Sequence, residues 1–99
     1  MTHETALRTI AEFMGWDTDI VQDSVVVFFI GKNCYDTESF DTMRMVFDEW
    51  REEIKEIGFE HMGEITGHNS VITWELSYGT PTDCALRLAE CIEWWKSVK

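Results

Sequence analysis

Proline is nearly absent from this sequence. Pro81 is the only one in 99 residues, so no ring interrupts a helix or strand elsewhere. Cysteine is sparse and odd in number: Cys34, Cys84 and Cys91. Cys84 and Cys91 fall two turns apart on one predicted helix, roughly 10 Å along its axis, too far to bridge. Three free thiols in a reducing compartment are the expectation. The longest apolar run, Val25–Ile30, is far short of the ~20 residues that cross a bilayer. The N-terminal Met-Thr-His-Glu-Thr has neither the basic nor the apolar region of a secretory signal. Bases are scarce as well, 8 against 19 acids, for a formal net charge of −11. Such a field repels nucleic acid and anionic membrane and attracts basic protein surfaces. There is no GxSxG, no P-loop and no GxGxxG. Neither enzymatic activity nor a cofactor is expected.

What is present suffices for a core. The chain is 44% hydrophobic with five Trp and six Phe, and a single domain over residues 1–99 is expected to bury roughly 65% of its unfolded surface. Residues 4–15 predict a helix, with Leu7, Ile10, Ala11 and Met14 on one face, a Glu4/Arg8/Glu12 ladder opposite, and Gly15 as the stop. Asp17–Ser24 reads as a polar connection. Val25–Ile30 is β-branched and aromatic without alternation, as in a strand covered on both faces.

A long helix follows, capped by Asp36 or Thr37 and running to Ile57 before Gly58. Met43, Val46, Phe47, Trp50, Ile54 and Ile57 form its apolar stripe, within roughly 100° of arc. Phe59–Thr66 and Val71–Tyr78 predict a hairpin around Gly67-His68-Asn69-Ser70. Thr80 and Pro81 mark a helix start, with Cys84, Leu88, Cys91, Ile92 and Trp95 inward. The expected fold is α+β, a small three-stranded sheet packed with three helices in the order α-β-α-β-β-α. If the hairpin strands pair, the apolar strand Val25–Ile30 lies at an open edge, an aggregation hazard that a homodimer would cover.

Three segments stand out together: Ile10-Ala11-Glu12-Phe13-Met14-Gly15-Trp16, then Tyr35-Asp36-Thr37-Glu38-Ser39-Phe40-Asp41, then Thr82–Ala89 followed by Ile92-Glu93-Trp94-Trp95. In these segments the chain resembles small phage and prophage proteins of the phage ABA-sandwich domain family. In the second helix this chain departs from the pattern. Relatives carry a proline-containing Leu-Met-Pro-Val-Val-Glu-Lys-Ile, whereas here Thr42–Trp50 has no proline and added acid. The resemblance implies a phage origin, hence the cytoplasm of a bacterial host, and a sheet between helix layers. It implies no activity, cofactor or catalytic residue.

The candidate site is the carboxylate stripe of the long helix. The segment Asp36–Glu64 holds ten of the acids against Arg44, Arg51 and Lys55. Asp41, Asp48, Glu52 and Glu56 fall opposite the apolar stripe, with Glu49 beside them, Met45 on the same face, and the three bases along one flank. A solvated face that keeps the protein soluble is the bland explanation. Against it, Asp48, Glu52 and Glu56 repeat like charge at i+4, which costs a few tenths of a kcal/mol per pair. Carboxylates in such a row stand in for phosphates before Lys and Arg. The implied partner is a basic host protein, such as a nucleic-acid-handling defence effector (a CRISPR nuclease, for instance), inhibited by mimicry and without direct nucleic-acid or membrane contact. Trp94 joins the candidate surface because its neighbour Trp95 takes the core.

Other constellations are weaker. His3, His61, His68 and Cys34 lack ligand spacing, so no metal is expected. Asp17–Asp23 lacks the glycine and glutamate of a calcium loop. Cys34 has no histidine near it in sequence to activate it as a nucleophile. The rival functional class is a small-molecule binding module or sponge, with Trp16, Trp74 and Trp94 around a pocket.

Overall fold

The computed structural model describes residues 2–21, 24–55 and 59–98. Helix α1 spans His3–Met14. The Thr2 hydroxyl accepts from the Thr5 amide to cap its start, and Gly15 closes its end at φ 71°, a left-handed position that costs glycine nothing. Three strands follow directly: β1 Asp17–Val21, β2 Ser24–Ile30 and β3 Asn33–Asp36. They form one antiparallel sheet in the order β1-β2-β3. The β1–β2 ladder runs from Asp17 opposite Phe29 to Val21 opposite Ser24, with a bulge between Asp19 and Ile20. The β2–β3 ladder pairs Phe28 with Tyr35 and Ile30 with Asn33 across the turn at Gly31 and Lys32.

Helix α2 spans Phe40–Ile54, α3 spans Met62–Tyr78 after a short 3₁₀ turn at Phe59–His61, and α4 spans Pro81–Val98. The element nearest the centre is α4. Its buried set of Cys84, Ala85, Leu88, Ala89, Cys91, Ile92 and Trp95 wraps well beyond one stripe, because α1, α2 and α3 all pack on it. The sheet leans on α1, and Phe28, fully buried, joins the helical core. Met43, Val46, Phe47, Trp50 and Ile54 turn inward from α2.

The α+β class and the count of three strands stand, but several segments differ from the sequence-based expectation. The supposed polar connection after Gly15 is the edge strand β1. Residues 33–36 are the other edge strand, and α2 starts later, with the Ser39 hydroxyl accepting from the Asp41 amide. The expected hairpin over 59–78 is largely helix α3, which makes four α-helices among the described residues where three were expected. The reason is tertiary: Ile65 and Ile72 recur at helical spacing and bury against α4 and α2, and that burial outweighs the β-propensity of Val71–Tyr78.

Placing all three strands together puts β2 in the middle. Val27 and Phe29 therefore pair on both sides, while the β3 ladder does not extend past Val27 to Val25, so this strand is the middle of the sheet and not the edge that the hairpin reading expected. Nor is β2 covered on both faces along its described length: Phe28 is buried, Val27 and Phe29 are half-buried and Ile30 is exposed. Ile57 and Gly58, the expected end of α2, lie outside the described residues. Among the described residues, no helix is long and apolar enough to cross a membrane.

Candidate functional site

Helix α2 carries five acids and two bases, and the packing of its apolar stripe against α4 decides which way they point. Asp41, Asp48, Glu49 and Glu52 are all exposed, and Met45, 39% exposed, lies on the same outer surface. Glu56 lies outside the described residues. Asp41 sits in the first turn, where a carboxylate is favourable to the helix dipole.

The bases are held apart from most of these acids. The Arg51 guanidinium lies over the Phe47 ring, 5.5 Å from its centroid. Lys55 Nζ pairs with Glu52 Oε1 at 2.8 Å. Arg44 is close enough to α4 to act electrostatically on the Cys84 thiol. Asp41, Asp48 and Glu49 make no ion pair among the described residues.

The same surface has relief. A shallow open groove of about 610 Å³ runs between the end of α1 and the outer side of α2, lined by Met14, Met45, Asp48, Glu49, Arg51, Glu52 and Lys55. Two thioethers give it a deformable apolar part, and three carboxylates border that part. Lys55 and Arg51 close one side, so the groove is acidic on balance without being uniformly so. No histidine or thiol is among the described residues that line it.

Trp94 does not belong to this surface. It is half-buried on α4, its indole Nε1 donates to Glu64 Oε2, and its ring meets His68 at 4.9 Å and His61 at 5.9 Å. Both Trp94 and Trp95 thus find partners, because α4 is covered on more than one side. The His61/His68/Glu64/Trp94 group ties the start of α3 to α4. Sequence reasoning missed it; the i,i+3 and i,i+7 spacing of Glu64 and His68 from His61 would have shown it once α3 was read as a helix. Neither His3 nor Cys34 enters the group. Among the described residues no three of His, Cys, Asp or Glu converge as for a metal ion.

The three tryptophans of the rival pocket are dispersed. Trp16 stacks on Tyr35 at 4.6 Å and meets Phe28 at 5.3 Å. Trp74 pairs with Tyr78 at 5.6 Å on the outside of α3. Trp94 has the histidine company just described, so no two of the three share a ring contact.

The thiols behave as core and edge groups. Cys34 is exposed on β3, whereas Cys84 and Cys91 are buried, and all three are free. Burial pushes the Cys84 thiol up to about 11, with the Glu75 and Asp83 carboxylates adding to it. Burial, with Glu90 nearby, pushes Cys91 up to about 12. Neither is a thiolate at neutral pH.

No family model matches this chain, and no curated protein or solved structure matches it either.

Proposed function

We propose that the protein is a non-enzymatic binding protein that engages a basic protein surface through the outer side of α2. The observation that carries this is the row of exposed carboxylates at Asp41, Asp48 and Glu49, which pair with no base among the described residues, next to a groove lined by Met14 and Met45. Exposed carboxylates gain most when a partner supplies arginine or lysine in their place of hydration, above all in bidentate geometry. Met14 and Met45 add apolar contact that adapts to the partner's shape. The resemblance to phage proteins suggests the biological setting: an anti-defence inhibitor occupying the nucleic-acid channel of a host effector, a CRISPR nuclease being one such target.

The test is a triple reversal, Asp48→Lys, Glu49→Lys and Glu52→Lys, compared with the parent as bait in bacterial lysate. The three positions face solvent, so circular dichroism should be unchanged. The parent should capture basic nucleic-acid-binding proteins, identified by mass spectrometry, and release them as salt rises past ~0.1 M, where exposed charges are screened over ~10 Å. The reversed protein should capture none of them. Equal capture by both baits would reduce the acidic side of α2 to a solubilising surface.

A further inference from the structure

The outward half of α3 contrasts with the acidic outer side of α2. At 3.6 residues per turn, Met62, Gly63, Thr66, Gly67, Ser70, Val71, Thr73, Trp74, Ser77 and Tyr78 occupy about half of its circumference. All ten are exposed, and none carries a charge, on a chain that is 27% charged with a net −11. Four of them are large apolar groups left in solvent: Met62 at 48%, Val71 at 42%, Trp74 at 56% and Tyr78 at 76%. Isolated exposed apolar residues are ordinary, but a contiguous set on one helix marks a contact surface. The helix is apolar on both sides, and its own fold covers only one.

We propose that this surface is the interface of a homodimer, covered by α3 of a second copy running antiparallel. Charge selects the occupant. Two copies of a −11 chain repel each other wherever their acids face, so a surface free of charge is where they meet at least electrostatic cost, and the outward side of α3 is such a surface. A basic partner gains nothing there and is drawn to α2 instead.

The backbone gives a second, independent indication. Gly63 and Gly67 sit inside the helix one turn apart, although glycine is the poorest helix former after proline. A Cβ at either position would meet nothing within 4 Å among the described residues, so packing among those residues gives no reason for their smallness. An antiparallel neighbour does. With the two-fold axis near Ser70 and Val71, Trp74 of one copy comes level with Gly67 of the other, and Tyr78 with Gly63. Each aromatic pair then lies on the bare backbone of the partner helix, and the hydroxyls of Thr66, Ser70 and Ser77 line the seam.

Sedimentation equilibrium of the full chain across a micromolar concentration series tests this. The parent should show a monomer–dimer equilibrium that tightens with added salt, because the Debye length falls from ~30 Å at 0.01 M to ~10 Å at 0.1 M and like-charged copies repel less. Two variants of opposite sign should each weaken the dimer about 30-fold or more, as expected for the loss of an interface anchor. Trp74→Glu sets like charge against the partner. Gly67→Lys fills the bare backbone on which Trp74 of the other copy lies, while improving helix propensity and lowering the net charge, so general repulsion cannot explain its effect. Both positions are exposed, and unchanged far-UV circular dichroism is the check on folding. The reversal of Asp48, Glu49 and Glu52 should leave the dimer in place.

A parent that stays monomeric at every salt concentration would overturn the proposal and assign the α3 surface to another partner. So would a dimer that survives Trp74→Glu and Gly67→Lys, or one abolished by the α2 reversal.

Discussion

Trp50 is the largest side chain that this fold removes wholly from water, at 0% exposure, and its truncation is the sharpest test of how α2 is oriented. An indole buries about 200 Å², which at ~25 cal/mol/Å² is about 5 kcal/mol. A partly collapsed unfolded chain lowers that by roughly 10–40%, and the residual cavity after Trp50→Ala adds to it. One opposing term is visible. Trp50 Nε1 is buried without a hydrogen-bond partner among the described residues, and removing an unsatisfied donor returns about 1–3 kcal/mol.

The net expectation for Trp50→Ala is a loss of about 3–5 kcal/mol, a large share of the 5–15 kcal/mol typical of a domain. Urea unfolding followed by circular dichroism reads it directly. With a slope near ~1.3 kcal/mol per M, the midpoint should fall by about 2–4 M. Trp50→Phe should cost far less, about 1.5 kcal/mol or under, because it keeps most of the ring against Phe47 and deletes the orphaned N–H. Met45→Ala, on the outer side of the same helix, should shift stability by no more than ~0.5 kcal/mol. If Trp50→Ala unfolds near the parental midpoint, or if Met45→Ala matches it, α2 is rotated from the orientation described and the acidic row does not face solvent as a unit.

The thiols give two further expectations. Ellman titration of the native protein should find one reactive group, Cys34, and three after unfolding; an intramolecular disulfide, or a second thiol reacting at the same rate before unfolding, would contradict the burial of Cys84 and Cys91. Their folded-state pKa values of about 11 and about 12 lie above the ordinary 9.0. The stability held by the neutral buried thiols is therefore complete below pH 9.0 and is lost as pH climbs through those values, because the unfolded chain releases its protons first. Cys91→Ala should flatten that alkaline decline, measured as the urea midpoint against pH, and an identical slope in the variant would show that Cys91 is not the group responsible.

Which elements could be foreseen follows from where their signals lie. Helices α1, α2 and α4 combine a helical apolar period with local punctuation, Gly15 at one end and Thr80 with Pro81 at the other. The Thr80 cap forms as expected, its Oγ1 accepting from the Asp83 amide at 3.2 Å. The phase of α2 was also legible, and with it the exposure of Asp41, Asp48, Glu49 and Glu52. The edge strands were not. Asp17-Thr18-Asp19 and Asn33-Cys34 are polar and short, and they are strands because β2 between them supplies hydrogen-bond partners on both sides, a property of the sheet that no local window contains. Trp94 was misplaced for a similar reason. Outward placement follows from periodicity only if α4 has one covered side, and α4 is covered by three helices.

Helix α3 is the instructive failure. Read with period two, Ile72, Trp74, Leu76 and Tyr78 make a clean strand face; read with period 3.6, Ile65, His68, Ile72, Glu75 and Leu76 make an inward helical face. Both patterns coexist because the outward side of the helix carries Trp74, Tyr78 and Val71 where a solvated helix would carry Lys and Glu. Amphipathicity is the signal that separates a surface helix from a strand, and a helix loses it when its second side is also meant to be covered. The ambiguity of residues 62–78 and the uncharged half-cylinder they present are therefore one physical fact. On an ordinary solvated surface these positions would have been free to take charges, and the segment would then have declared itself a helix. Because they did not, the chain presents two outer surfaces of opposite character, the acidic side of α2 and the uncharged side of α3. If α2 binds a basic partner and α3 a second copy, as proposed, contacts through the carboxylates of α2 should weaken as ions screen them, and contacts through α3 should strengthen as the same ions quiet the repulsion between like-charged copies.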